Sequence, residues 1–203
     1  REAYFRAMKP LRLMAASALT LALAAPAAWA EKIPLNTLSS YLNGITTAQT
    51  KFTQIAGDGS VSTGTLYLKR PGKMRFEYDP PNKAYVIADH GVVGIFDESV
   101  EQYPLKRTPL NIILDETVDL GRANMVTGHR EEGPSTIVKA QDPENPEYGY
   151  IELVFTANPT QLRQWVVHDD SGSATTVVLG DMQTGMSLSQ RLFNFQDGFV
   201  ADR

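Results

Sequence analysis

Apolar and polar residues alternate with period two along much of this chain, most cleanly in Gly64 to Pro81, GTLYLKRPGKMRFEYDPP. Alternation of this kind predicts half-buried strands. Leu66, Leu68 and Arg70 fall on one face of a first strand, and Met74, Phe76 and Tyr78 on one face of a second. The turn between them is Pro71-Gly72. Arg70 is the exception, a permanent cation in line with an apolar face. Burying a guanidinium without partners costs several kcal/mol, so this position implies either a wet rim or partners built to meet it.

The same pattern predicts further strands at Ala48–Ile55, Val61–Arg70, Lys73–Tyr78, Lys83–Ala88, Val92–Phe96 and Val100–Tyr103. Those of the second half are Asn124–His129, Ser135–Gln141, Tyr150–Ala157, Gln161–His168 and Ala174–Met182. Asp89-His90-Gly91 has the composition of a tight hairpin turn. Helical spacing occurs in two places. Leu35, Leu38, Leu42 and Ile45 form a stripe within Pro34–Ile45, with Gly44 at a capping position. Thr108-Pro109 reads as a cap and first position, with Leu110, Ile113 and Leu114 on one face of a helix running to about Leu120. Ser187 and Gln190 resemble a capping box opening a last short turn.

Many short strands in hairpin order, with short helices, predict a mainly β (α+β) fold. Several strands are apolar on both faces: Tyr85 and Ile87 oppose Ala84 and Val86, and Ile151, Leu153 and Phe155 oppose Tyr150 and Val154. The expectation is therefore a strongly curved antiparallel sheet forming an incomplete β-barrel, with a short-helix lid over one face.

Residues 1–30 have the form of an export signal. Met8 to Arg12 is a basic start, Leu13–Ala25 an apolar core too short to span a bilayer, and Ala28-Trp29-Ala30 a small-x-small cleavage site. Met8 is the expected initiator, and residues 31–203 the expected single domain. Residues 1–30 hold four of the 19 basic and one of the 23 acidic residues, leaving the remainder at a net charge of −7. That balance argues against nucleic-acid binding. With no cysteine, the chain has neither disulfides nor thiolate chemistry nor a lipidated cysteine at the cleavage site. The expected location is the periplasm.

Catalytic patterns are absent from the sequence. There is no Gly-x-Ser-x-Gly elbow, no Ser-x-x-Lys pair and no phosphate loop, since Gly72-Lys73 continues into Met74. His90, His129 and His168 are far apart and lack metal-ligand spacing. Asp169-Asp170 before Ser171-Gly172 has turn composition. A non-enzyme with no cofactor and no metal is the reading that remains, and a binding protein fits it.

Phe52-Thr53-Gln54, Gly64 within GTLYLKRPGKMRFEY, Asp89-His90-Gly91 before Phe96-Asp97 and Thr108-Pro109-Leu110 occur in an order that resembles the periplasmic lipoprotein-carrier (LolA-like) family. Tyr148 to Leu153, Leu162 to Trp165 and Leu192 to Phe195 extend the resemblance over nearly all of residues 31–203. The resemblance implies a chaperone that takes triacylated lipoproteins from an inner-membrane ATP-driven transporter to the outer membrane, in many bacteria to an outer-membrane receptor. It implies a monomer with an apolar cavity, and an arginine in the Lys-Arg-Pro turn, here Arg70, that bonds the lid. The candidate ligand-binding residues are Arg70, Leu66, Leu68, Met74, Phe76, Tyr78, Phe52, Leu110, Ile113 and Leu114. Two other readings stay open: a lipid-sensing envelope regulator of the same barrel type, and a structural envelope protein with no lipid ligand.

Overall fold

The hairpin order read from the turns is realised in a single antiparallel sheet. The computed structural model describes residues 31–195, and all ranges below refer to these. The strands are β1 (Thr47–Ile55), β2 (Val61–Lys69), β3 (Lys73–Tyr78), β4 (Tyr85–Asp89), β5 (Val92–Phe96), β6 (Val100–Pro104), β7 (Val126–Glu132), β8 (Ser135–Gln141), β9 (Tyr150–Thr156), β10 (Gln161–His168), β11 (Ala174–Leu179) and β12 (Gln183–Thr184). Their order across the sheet is β6-β5-β4-β3-β2-β1-β11-β10-β9-β8-β7, with β12 beside β1. Each half of the chain forms its own meander, and β1 joins the two by pairing Phe52 with Leu179 and Ile55 with Thr176. The β4–β5 turn has two residues at positive φ, His90 and Gly91, as its composition predicts.

The expected strongly curved sheet forming an incomplete barrel is not what forms; α1 and α2 lie against one face of an open sheet. The sheet is extended and open: the strand path ends at β6 and β7, and these two do not pair. Closure requires the end strands to meet in register. Here β6 is exposed throughout and ends in Pro104, while β7 ends in Arg130, Glu131 and Glu132. Proline and charge are what keep sheet edges from pairing. The two-faced apolar strands that suggested an enclosed interior have another cause. On the outer face of β3–β5, Ile87 and Phe96 are buried, Phe195 of the C-terminal segment meets Phe96, the Leu192 carbonyl accepts from Arg75, and Phe193 is fully buried. Period two reports which faces are covered, not by what.

Helical content is also less than predicted. α1 (Leu35–Gly44) matches its stripe, burying Leu38 and Leu42. It ends at Ile45 without a positive-φ glycine cap, and Gly44 is its last turn. The second helix does not reach Leu120. α2 is the single turn Asn111–Leu114, its cap position is Leu110, and no side chain caps it. The last turn, Gln190–Phe193, is 3-10 and is capped by Ser189, whose hydroxyl accepts from the Arg191 N–H at 3.3 Å, not by Ser187. The predicted Ala174–Met182 strand breaks at Gly180, whose N–H turns to the Lys51 carbonyl at 2.8 Å. The expected signal peptide and the expected 31–203 domain boundary lie wholly or partly outside the described residues.

The main core lies between the sheet and α1 with α2. It unites Leu38 and Leu42 with Phe52, Leu66, Phe76, Ile113, Phe155 and Trp165. Gly64 has a specific part in it. A Cβ there would come within 2.8 Å of the Phe52 ring, so the missing side chain is what lets Phe52 lie flat across β2. Phe52 then meets Phe76 edge-on at 5.0 Å and Tyr78 at 5.4 Å, and Phe76 meets Trp165 at 6.3 Å. Edge-on aromatic pairs at such distances add about 0.5–1.5 kcal/mol each beyond area burial.

Candidate functional site

Arg70 follows β2 directly, one residue beyond the alternating pattern. Two backbone bonds fix its turn: the Arg70 N–H donates to the Thr46 carbonyl and the Gly72 N–H to the Leu114 carbonyl, both at 2.8 Å. Gly72 has φ +71, which a side chain would oppose. From this turn the guanidinium reaches two elements at once. Its Nη1 donates to the Leu42 carbonyl at 2.5 Å, in the last turn of α1. Its Nη2 and Nε donate to the Asp115 carbonyl at 2.6 and 3.0 Å, just past α2. Nη2 also reaches Asn43 Oδ1 and the Glu116 carbonyl, both at 3.2 Å. The Leu42 carbonyl also accepts from the Ile45 N–H at 3.1 Å, and it lies at the negative end of the α1 dipole, where a cation suits its remaining lone pair. Partial burial draws the Arg70 pKa below its ordinary value, and the Asp115 carboxylate opposes that. A guanidinium stays charged regardless.

α1 and the segment after α2 are also stitched to each other. Asn43 Nδ2 donates to the Val118 carbonyl at 2.8 Å, and Asn43 Oδ1 accepts from the Val118 N–H at 2.8 Å. The Leu120 N–H donates to Ser39 Oγ at 3.0 Å. These side-chain bonds make one cover of two sequence-distant pieces, and Arg70 fastens that cover to the sheet.

Beneath the cover is a cavity of about 20 Å³, lined by Leu42, Leu66, Leu68, Arg70, Ile113 and Trp165 among others. That volume holds about one water molecule. The candidate residues divide around it. Leu66, Leu68, Arg70 and Ile113 line it directly. Phe52, Met74 and Leu114 are buried in the surrounding core. Phe76, Tyr78 and Leu110 instead line a separate, larger groove of about 570 Å³. Leu110 has helical backbone at the cap position of α2, its carbonyl accepts from the Ile113 and Leu114 N–H groups at 3.2 Å, and it packs against the same core as those two residues while also bordering the groove. Burial raises the Tyr78 pKa, and its hydroxyl donates to Gln54 Oε1 at 2.8 Å.

Four participants escaped the sequence reading. Asn43 and Ser39 lie on the polar side of α1, where nothing separates a cross-linking side chain from a solvated one. Trp165 and Met182 line the cavity from β10 and from the loop before β12. Alternation does not identify Trp165: Leu162 and Trp165, the buried positions of β10, are three residues apart, and a bulge between Leu162 and Gln164 shifts the register between them.

Residues 43–196 match the family described as "Outer membrane lipoprotein carrier protein LolA". The chain belongs to this family. Relatives named outer-membrane lipoprotein carrier protein include that of Methylococcus capsulatus, 29% identical over 181 residues, covering 83% of this chain and 86% of that protein. That of Neisseria meningitidis serogroup C is 24% identical over 198 residues, covering 93% and 94%. Among solved structures, a putative outer membrane lipoprotein-sorting protein domain from Vibrio parahaemolyticus aligns at TM-score 0.47 and 10% identity, covering 81% of this chain and 96% of that one. A LolA superfamily protein from Nitrosomonas europaea aligns at TM-score 0.44 and 8% identity, covering 81% and 99%. LolA-family carriers are periplasmic, non-catalytic transport proteins, and the chain is placed accordingly in the periplasm and outside the enzymes. At family level its role is lipoprotein transport in outer-membrane biogenesis.

Proposed function

We propose that this protein shelters the acyl chains of triacylated lipoproteins against the apolar face beneath α1 and α2. It receives them from an inner-membrane ATP-driven transporter and delivers them to the outer membrane, to a receptor where one is present. Leu66, Leu68, Met74, Phe76, Phe52, Ile113 and Leu114 are the contact residues in this reading, with Tyr78 and Leu110 at the edge. Residues 1–30 would direct export, and residues 31–203 would act as one monomeric carrier domain.

One observation carries the reading: a single arginine at the end of an apolar strand face holds the cover through main-chain carbonyls. Acyl chains cannot cross water unaided, at about 0.8 kcal/mol for each CH₂ exposed. A carrier must bury them and then release them. An apolar core whose cover is fastened at its rim by polar bonds meets both needs. Water can replace those bonds when the cover lifts, and the cavity expands only as the cover moves. Main-chain carbonyls are available to Arg70 whatever side chains surround them, so the latch can re-form after each delivery.

The test is transfer between two purified proteins, from loaded carrier to receptor. Arg70→Leu should fold, retain a native-like circular dichroism spectrum and change loading or release several-fold. Wild-type transfer by that variant would remove the latch. Loss of outer-membrane lipoproteins on depletion would separate a carrier from a sensor, and lipopeptide found by mass spectrometry in the purified protein would separate both from a structural role.

A further inference from the structure

β6 bounds one side of the sheet: it pairs with β5, and no strand among the described residues pairs with its other edge. Its main-chain groups alternate in direction, as in any antiparallel ladder. The Leu105 N–H donates to the Gly91 carbonyl at 2.9 Å, toward β5. Tyr103 and Glu101, of the same parity, turn that way too and stand opposite Val93 and Ile95. Val100, Gln102 and Pro104 therefore direct their main chain to the free edge. Val100 and Gln102 each offer an N–H and a carbonyl there, and Pro104 offers a carbonyl alone. All of the strand's residues are exposed.

The side chains alternate as well. Gln102 points to the outer face, where it borders a cavity of about 510 Å³ together with Asp89, His90, Gln190, Arg191 and Asn194. The carboxylate in that cavity is already engaged. Asp89, only 6% exposed, pairs with Lys73 and accepts from the His90 N–H at 2.9 Å, and His90 Nδ1 lies 2.9 Å from its other oxygen. Arg191 and His90 are exposed. A group entering here meets a guanidinium, an imidazole and side-chain amides, a set that an acidic side chain complements. Tyr103 borders the inner face, and Glu101 shares that face by parity. Opposite them, an apolar residue suits Tyr103 and a basic one suits Glu101.

Both ends of the edge are blunted. Pro104 lacks an N–H, and the exposed Asp97 and Glu98 flank the other end. Such residues keep long strands from adding to a sheet, which leaves room for a short one. We propose that the free edge of β6 takes up one extended segment of a partner polypeptide as an added antiparallel strand. Read from its N-terminus, the guest is apolar, acidic, basic, and these residues stand opposite Tyr103, Gln102 and Glu101. Main-chain bonds to Gln102 and Val100 supply the attraction, and the acidic residue beside Arg191 sets direction and register. The site shares no residue with the Arg70 latch and does not depend on what lies beneath α1.

The probe is a fluorescein-labelled heptapeptide, Ser-Thr-Tyr-Glu-Lys-Thr-Ser, titrated with the full chain and followed by fluorescence anisotropy. Saturable binding is expected, with slowed amide exchange at Val100 and Gln102. Gln102→Pro removes an outward N–H and no bond to β5, an exchange that an edge strand tolerates. With the urea midpoint unchanged, it should weaken binding about ten-fold, the scale of a main-chain bond left unmade. Should the midpoint fall, N-methylation of the probe's glutamate blocks the same pairing from the guest's side and should weaken binding equally. Arg191→Glu should weaken binding about two- to five-fold and improve that of the charge-reversed probe Ser-Thr-Tyr-Lys-Glu-Thr-Ser by a similar factor.

Binding undiminished by Gln102→Pro or by N-methylation would mean that the β6 main chain is not used, and would overturn the proposal. Equal affinity of the wild-type chain for the two probes would do the same, since the outer-face cavity would then read no charge. So would slowed exchange along β7 in place of β6, or the absence of saturable binding. None of these results bears on acyl-chain transport, so the carrier reading stands or falls separately.

Discussion

The sheet has two covers, one on each face, and each is met by an arginine beside the Pro71-Gly72 turn. Arg70 points to one face and bonds the carbonyls of Leu42, Asp115 and Glu116. Arg75, on the other face, donates to the Leu192 carbonyl at 3.2 Å and lies 5.0 Å over the Tyr85 ring. The resemblance ends there. Arg75 is only 8% exposed. Its Nε makes no hydrogen bond, the nearest carboxylate oxygen being that of Glu77 at 3.7 Å. The C-terminal cover is held mainly by aromatic packing: Phe193 is fully buried, and Phe195 meets Phe96 at 5.5 Å. Nearby, Lys73 and Asp89 form a close ion pair and Lys69 donates to the Leu188 carbonyl at 3.1 Å. A cover fastened by rim hydrogen bonds over a small void can exchange those bonds for water. A cover plugged by a buried phenylalanine cannot leave without opening a cavity.

The contrast is broken most directly at Phe193. Phe193→Ala should destabilise the protein by about 3–5 kcal/mol, as large aromatic truncations in a packed core do. Urea unfolding measures it. A loss below about 1 kcal/mol would mean that the C-terminal cover is as removable as the other. Asn43→Ala tests whether α1 and the 115–120 segment move as one body. It removes the paired bonds to Val118 and should cost about 1–2 kcal/mol. Hydrogen exchange should then quicken in α1 well before it does in β8–β10. Equal acceleration everywhere would show that Asn43 serves global stability only.

The smallest effect concerns the stretch leading into α1. His129 Nε2 lies 2.9 Å from the Ile33 carbonyl. Burial lowers the His129 pKa from its ordinary 6.5, the Ile33 carbonyl opposes this, and Lys32 adds to it. A histidine whose folded pKa is depressed stabilises the fold fully above its unfolded value and progressively less as pH falls through that value. The urea midpoint should therefore drop slightly between pH 7.5 and 5.5, before the acidic range where Asp58, Asp142 and Asp169, with lowered pKa values, begin to titrate. His129→Gln should remove that drop. An unchanged pH profile in the variant would exclude His129 as its source.

Much of this was written in the sequence, and the failures are instructive. Period two located most of the strands because one face of each is pressed against α1, α2 or the C-terminal segment. It also singled out Arg70, because a cation in an apolar row has to be explained. The same signal misled on architecture. Ile87 opposite Val86 reads as an enclosed interior, yet a segment more than a hundred residues later supplies the second cover. Whether the end strands β6 and β7 meet is a property of the whole sheet path, which alternation within one strand does not weigh. The apolar run from Leu110 to Leu120 reads as a helix, but only one turn forms. Beyond it the backbone groups of Val118 and Leu120 bond to Asn43 and Ser39 of α1 instead of to each other. Side chains from a distant element replaced the local ladder, and local spacing cannot report that.

The central claim is that acyl chains lie beneath α1 and α2 and not on the opposite face. A photoreactive residue placed at Ile113, compared with one at Val178 on the exposed outer face, tests it with a synthetic triacylated lipopeptide. Crosslinks should form at position 113 and not at 178, and Arg70→Leu should change their yield at 113. Equal crosslinking at both positions, or none at 113 with the lipopeptide bound, would contradict it.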